Sequence, residues 1–114
     1  MQQLSRAEGW PTPTERPAAA LRAWQNSWPA LVATEEGMVV GFLRALSDGA
    51  VTTYVAEVLV AAGHRGRGIG TALLEACHRL CPEARIDLLS TVDASAFYEA
   101  GGFRAFAGYR KSFV

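Results

Sequence analysis

The stretch Val60-Ala61-Ala62-Gly63-His64-Arg65-Gly66-Arg67-Gly68-Ile69-Gly70-Thr71 decides the fold of this 114-residue chain. Before it runs Val51–Val60 (VTTYVAEVLV), long and rich in β-branched residues, which reads as a strand. After it, Ile69, Leu73, Ala76, Cys77 and Leu80 recur at three- and four-residue steps, the apolar stripe of a helix. A strand that enters glycines and opens straight onto a helix has a chemical meaning. The first helical turn carries backbone N–H groups without intrahelical partners, and the helix dipole adds partial positive charge there. Glycines remove the side chains that would hold an anion at a distance. A pyrophosphate is the natural occupant, and Arg65 and Arg67 place cations beside it.

Upstream, Leu21, Trp24 and Trp28 fall at near-helical spacing, predicting a helix over Pro17–Ser27 that Pro29 ends. Pro11, Pro13 and Pro17 make residues 1–17 irregular. Ala30–Thr34 and Met38–Leu46 read as strands around Glu35-Glu36-Gly37, and Ser47-Asp48-Gly49 turns the chain into Val51–Val60. These segments form an antiparallel meander. Downstream, Pro82 closes the amphipathic helix and Arg85–Leu89 is a further strand. Asp93 is placed to cap a short helix, Ala94–Ala100, that Gly101-Gly102 stops. Phe103–Phe106 and Tyr109–Phe113 read as two last strands. The order defines an α+β (mixed α/β) fold with one central sheet, in a single domain over residues 1–114.

Composition narrows the function. Half the residues are hydrophobic, 19% are charged and the formal net charge is zero, so nothing draws the chain to nucleic acid or an acidic membrane. The basic residues His64, Arg65 and Arg67 are confined to one loop, without an aromatic-basic platform. No apolar run approaches the roughly 20 residues that span a bilayer, and no signal peptide is recognisable at the N-terminus. Cys77 and Cys81, four apart on the helix, read as reduced thiols; His78 beside them finds no ligand set, so no metal is expected. The expected compartment is the cytoplasm.

The loop discriminates among phosphate ligands. A P-loop needs Lys before Ser or Thr after its last glycine, and Ile69-Gly70-Thr71 has none. The dinucleotide pattern Gly-x-Gly-x-x-Gly is one residue longer than Gly66-x-Gly68-x-Gly70, and an antiparallel meander precedes the glycines where a βαβ unit would begin.

Arg65-Gly66-Arg67-Gly68-Ile69-Gly70 resembles the acyl-CoA signature of the GNAT superfamily, (Gln/Arg)-x-x-Gly-x-(Gly/Ala). Asp93-Ala94-Ser95-Ala96-Phe97-Tyr98-Glu99-Ala100-Gly101-Gly102-Phe103 is similar to that superfamily's A-x-x-F-Y-x-x-x-G-F segment, in the expected order and at the expected separation. The resemblance covers about residues 20–114. It implies a mostly antiparallel sheet of about six strands flanked by helices, and acetyl-CoA as co-substrate.

By the same resemblance, the main chain of Leu59, Val60 and Ala61 pairs with the pantetheine arm, and the amides from Arg65 through Gly66, Arg67, Gly68, Ile69 and Gly70 to Thr71 hold the pyrophosphate. The Val60 N–H polarises the thioester carbonyl and Tyr98 protonates the departing thiolate. Glu57, the one acid in an apolar strand, is the candidate base or ammonium-pairing group. Where many members carry an Asn supporting the cofactor, the polar residues here are Thr91, Asp93 and Ser95. The implied reaction is acetyl transfer to a primary amine, small-molecule or protein-borne; a CoA-binding module without turnover is the alternative. Members usually carry a strand and helices ahead of the meander. Only about 29 residues precede it here, which leaves a sheet edge expected to pair in a homodimer.

Overall fold

The computed structural model describes residues 17–113. Helix α1 (Pro17–Gln25) leads into strands β1 (Ala30–Glu35), β2 (Met38–Ser47) and β3 (Thr52–Val60). Helix α2 (Ile69–Leu80), strand β4 (Arg85–Leu88) and helix α3 (Ser95–Ala100) come next. The four strands form one sheet in the order β1-β2-β3-β4. β1–β2 and β2–β3 are antiparallel hairpin pairs, as the turn residues predict, whereas β3–β4 is parallel with α2 as its crossover.

Each hairpin turn has a local cause. Asp48 Oδ1 accepts backbone N–H bonds from Ala50, Val51 and Thr52 at 2.8, 2.8 and 3.1 Å, closing the β2–β3 turn from a side chain. Glu36 and Gly37 adopt positive φ, 52° and 80°, in the β1–β2 turn. The two faces of the sheet are covered by different helices. On one, Leu43, Ala45 and Val55 meet Leu73, Leu74 and Cys77 of α2, the main core. On the other, Phe42 packs edge-on against Trp24 of α1, ring centroids 5.4 Å apart. Covering a leucine-sized side chain in this way stabilises by about 2 kcal/mol.

Three expectations need correction or delimitation. Phe103–Phe106 and Tyr109–Phe113 are not strands, so the sheet has four strands among the described residues rather than about six. Phe106, Tyr109 and Phe113 stay 76%, 94% and 83% exposed, and Arg104 and Lys111 lie over the Phe106 and Phe113 rings. With no buried face to join, β-propensity has nothing to pack against. Asp93 does not cap α3. It lies within a 3₁₀ turn, Val92–Ala94, whose Ala94 N–H bonds Thr91 O at 3.1 Å, and α3 starts only at Ser95. The proline-rich segment up to residue 16 lies outside the described residues.

Candidate active site

A one-residue irregularity in β3 builds the site. β2 and β3 pair from Ser47↔Thr53 to Ala45↔Val55 and again from Arg44↔Glu57 to Gly41↔Val60, so Ala56 is an extra residue. Such a bulge bends its strand and re-aims the residues beyond it. The parallel ladder to β4 covers Thr52–Val55 and stops there. From Ala56 to Val60, β3 has no neighbour on its β4 side among the described residues. Main-chain groups of successive strand residues point to alternate sides. Ala61 N–H donates to Val40 O at 2.8 Å, on the β2 side, so the N–H and C=O of Val60 face the gap. Arg65 Nε donates to that Val60 carbonyl at 3.0 Å.

The glycine loop meets this open edge. Gly66 and Gly68 have φ of 78° and 81°, the left-handed region, and no atom lies within 4 Å of where their Cβ would be. Both are glycine for conformation rather than for closeness. Gly68 opens α2, its carbonyl accepting the Ala72 N–H at 2.9 Å, and no side chain caps the helix. The amides of Ile69, Gly70 and Thr71 therefore have no intrahelical partner. Gly70 is glycine for space: a Cβ there would lie 3.3 Å from Phe97 Cζ and 3.7 Å from Val60 Cγ2. β3, α2 and α3 converge at that point.

Tyr98 stands next to Phe97 in the chain and stacks edge-on with it at 5.1 Å and with Phe103 at 5.5 Å, against the main core. Burial pushes its phenol above the ordinary value of 10.0, so the group holds its proton at neutral pH. Cys77, deeper in the same core, is pushed up to about 11 by burial and by the neighbouring Cys81 thiol.

Across the sheet lies a second group of polar residues. The bulge shifts the alternation, so Val58 joins the α2 face with Val55 while Glu57 sits opposite Arg44 on the α1 face. Arg44 Nε donates to Glu57 Oε2 at 2.9 Å, with both side chains about four-fifths buried. Arg44 also donates to Ser27 Oγ at 3.2 Å, and Ser27 Oγ donates to the Ala23 carbonyl of α1 at 2.5 Å. Glu57 is thus held through two side chains to the end of α1, with Oε1 left unengaged by Arg44.

The residues singled out in the sequence divide accordingly. Val60, Gly66, Gly68, Ile69, Gly70 and Thr71 surround the gap and the loop, and Tyr98 connects to them through Phe97, which packs by Gly70. Leu59 is buried opposite Phe42, and the Ala61 amide is already bonded to Val40, so Val60 alone of these three turns its main chain to the gap. Ser95 Oγ donates to Thr91 O at 3.5 Å, at the start of α3. Arg67 is engaged by Glu35, with NH2 to Oε1 at 3.1 Å. Arg44, Ser27 and Glu35 were not singled out. Arg44 had a legible signal, as the one cation in the apolar strand Met38–Leu46, facing across a tight turn a strand with one acid. The bulge that sets their register carries no such signal.

A family model for the acetyltransferase (GNAT) domain matches residues 26–105. This chain belongs to the GNAT acetyltransferase family. It is 32% identical to a histone acetyltransferase, TAP1, of Glycine max over 92% of this chain and 51% of the relative. It is 34% identical to a mycothiol acetyltransferase of Kineococcus radiotolerans over 87% of this chain and 34% of that protein. The chain thus spans between about a third and a half of the length of the curated relatives it matches. Among solved structures, a GNAT family protein of Streptococcus pneumoniae, SP0256, shares the fold with a TM-score of 0.78 at 24% identity, covering 97% of this chain and 86% of that one. An aminoglycoside acetyltransferase, HMB0005, from an uncultured soil metagenomic sample superposes with a TM-score of 0.72 at 27% identity, over 97% and 85%. No helix among the described residues is long and apolar enough to cross a membrane.

Proposed function

We propose that the chain is an acetyl-CoA-dependent N-acetyltransferase acting on a primary amine of a small molecule. The observation that carries this is the meeting of an open main-chain edge at Val60 with an uncapped, glycine-opened helix N-terminus. Coenzyme A needs both: amide-rich pantetheine pairs with a strand edge, and pyrophosphate sits against free helix amides. The Gly66 and Gly68 positions, bare of neighbours within 4 Å, fit a bulky anion.

When bound, acetyl-CoA supplies an acetyl group activated as a thioester. The chain's own residues do the rest. The amides of the loop and first turn, Arg65 to Thr71, bind phosphate oxygens, with Ser95 a further polar contact from α3. Val60 N–H, held in the gap, is the donor placed for a carbonyl oxygen. Tyr98 retains its proton at neutral pH and is the donor for the leaving sulfur. Glu57 lies on the opposite face of the same strand, where an amine approaches without displacing the cofactor; its Oε1 receives the amine proton or anchors the ammonium. The amine then meets the thioester at the gap beside Val60, past Val55, where β3 has no strand on its β4 side.

The largely buried Glu57–Arg44–Ser27 group, with Glu57 Oε1 unengaged by Arg44, supports a small amine acceptor, the class to which aminoglycosides belong. The buried free thiols of Cys77 and Cys81 fit a reducing compartment, and we place the protein in the cytoplasm. Calorimetric titration with acetyl-CoA and CoA, with NAD in parallel, tests the first half: CoA-selective binding is expected, and equal or absent binding overturns it. Thiol release measured over a panel of polyamine, amino acid, aminoglycoside and histone-tail peptide tests the second. Release that ignores added amine rejects amine transfer, and release with the peptide alone reassigns the acceptor to protein.

A further inference from the structure

We propose that Glu35 is a positioning residue for the glycine loop: from the end of β1 it clamps His64 and Arg67 and so fixes the backbone that bends at Gly66 and Gly68. The inference rests on the acyl-CoA reading of that loop and deepens it.

The geometry is bidentate. Glu35 Oε1 accepts from Arg67 NH2 at 3.1 Å, and Oε2 lies 3.0 Å from His64 Nδ1. Arg67 NH1 lies 3.1 Å from the same His64 nitrogen, which closes a three-membered ring of side chains. Nδ1 donates to Glu35 when it carries the proton and accepts from Arg67 when it does not, so one tie exists in either tautomer. Between the two clamped residues lie only Arg65 and Gly66, and Gly68 is next after Arg67.

Packing does little to hold this loop. A Cβ at Gly66 or Gly68 would touch nothing within 4 Å, and Ala62, Gly63 and Arg65 to Gly68 are exposed. The bonds from His64 N–H to Ala61 O at 2.8 Å and from Arg65 Nε to Val60 O at 3.0 Å are local, reaching three and five residues back along the chain. The Glu35 contacts span 29 and 32 residues and join the loop to the hairpin end of the sheet. Glycines in left-handed conformations carry a large entropy cost when they order on a ligand. A clamp that orders them beforehand removes part of that cost from binding.

The competing account makes Arg67 a direct phosphate ligand and Glu35 an acid that withholds it. The two accounts give opposite signs. Because Arg67 NH2 is bound to Glu35 in either His64 tautomer, the clamp assigns that side chain to the loop's shape and leaves the anion to backbone amides.

The test uses Glu35→Ala, Glu35→Gln, Arg67→Ala and the Glu35→Ala/Arg67→Ala double variant, each checked for an unchanged cooperative melt. Hydrogen exchange over residues 61–70 in the ligand-free protein is expected to rise several-fold in Glu35→Ala, with β2 and β3 unmoved. Affinity for CoA, titrated beside inorganic pyrophosphate, is expected to fall roughly 3- to 10-fold. The double variant is expected to bind no worse than Arg67→Ala alone, since both changes open the same ring. Glu35→Gln, which keeps a carbonyl acceptor, is expected to fall between. Unchanged loop exchange, or tighter CoA binding in Glu35→Ala, overturns the clamp. If the unaltered protein binds neither CoA nor pyrophosphate, the acyl-CoA reading fails, while the exchange comparison still decides whether Glu35 holds the loop.

Discussion

Glycines at alternate positions of one loop have different physical reasons, and substitution separates them. Gly68→Ala places a side chain in left-handed backbone at φ 81°, costing about 1–2 kcal/mol. A lowered melting temperature with weakened CoA binding is expected. Gly70→Ala meets no such strain; its Cβ instead crowds Phe97 Cζ at 3.3 Å, so Gly70→Ala combined with Phe97→Leu is expected to recover CoA affinity that Gly70→Ala loses. Recovery of Gly68→Ala by the same partner change would contradict the distinction. Tyr98→Phe is expected to lower kcat roughly 100-fold with CoA affinity unchanged; equal turnover assigns Tyr98 to packing. Cys77 gives a pH test. Its thiol titrates at about 11 in the folded protein against an ordinary 9.0, so the unfolded chain loses the proton first. Stability from this group is complete below pH 9 and declines as pH rises toward 11, readable in chemical denaturation across that range. The loop and Glu57 were marked in the sequence by residue type and position, and Tyr98 by the family segment it resembles. Ser27 and Glu35 were not, because their roles come from contacts between residues 17 to 32 positions apart.

Among the elements, the β2–β3 hairpin depends on a turn tied by one carboxylate. Three backbone amides hold Asp48 below the ordinary carboxylate value, Ala50 first among them. The native state therefore releases this proton more readily than the unfolded chain, and the stabilisation is present above pH 3.8 and lost as pH falls further. Asp48→Ala is expected to lower the melting temperature and to flatten that acid limb; an unchanged limb would refute the assignment. The elements themselves were well marked in the sequence, because hydrophobic period and turn residues act locally. β1 to β3, α1 and α2 fall within a few residues of their predicted bounds. The last two strands failed for a non-local reason: Tyr109-Arg110-Lys111-Ser112-Phe113 has the composition of a strand but no buried neighbour. The bulge at Ala56 was equally hidden. A strict two-residue alternation through β3 would put Glu57 and Leu59 on the same face as Thr53 and Val55, whereas the extra residue sends them to the other.

At the scale of the whole molecule, the sheet ends on β1, whose outer edge has no strand beside it among the described residues. An unpaired edge is a template for another chain, and we propose a homodimer joined there. Light scattering at working concentration is expected to give twice the chain mass, and a predominantly monomeric mass overturns it. Inside the molecule the same logic applies to the gap between β3 and β4. Past Val55 the sheet is an unfinished fabric, with Val60 offering its N–H and no strand to take it. A ligand that pairs there is more than a guest in a hole, since it supplies the missing thread. Cofactor and fold then share one cooperative melt, and saturating the site at 100 times Kd would add about 2.7 kcal/mol to the stability of the whole domain.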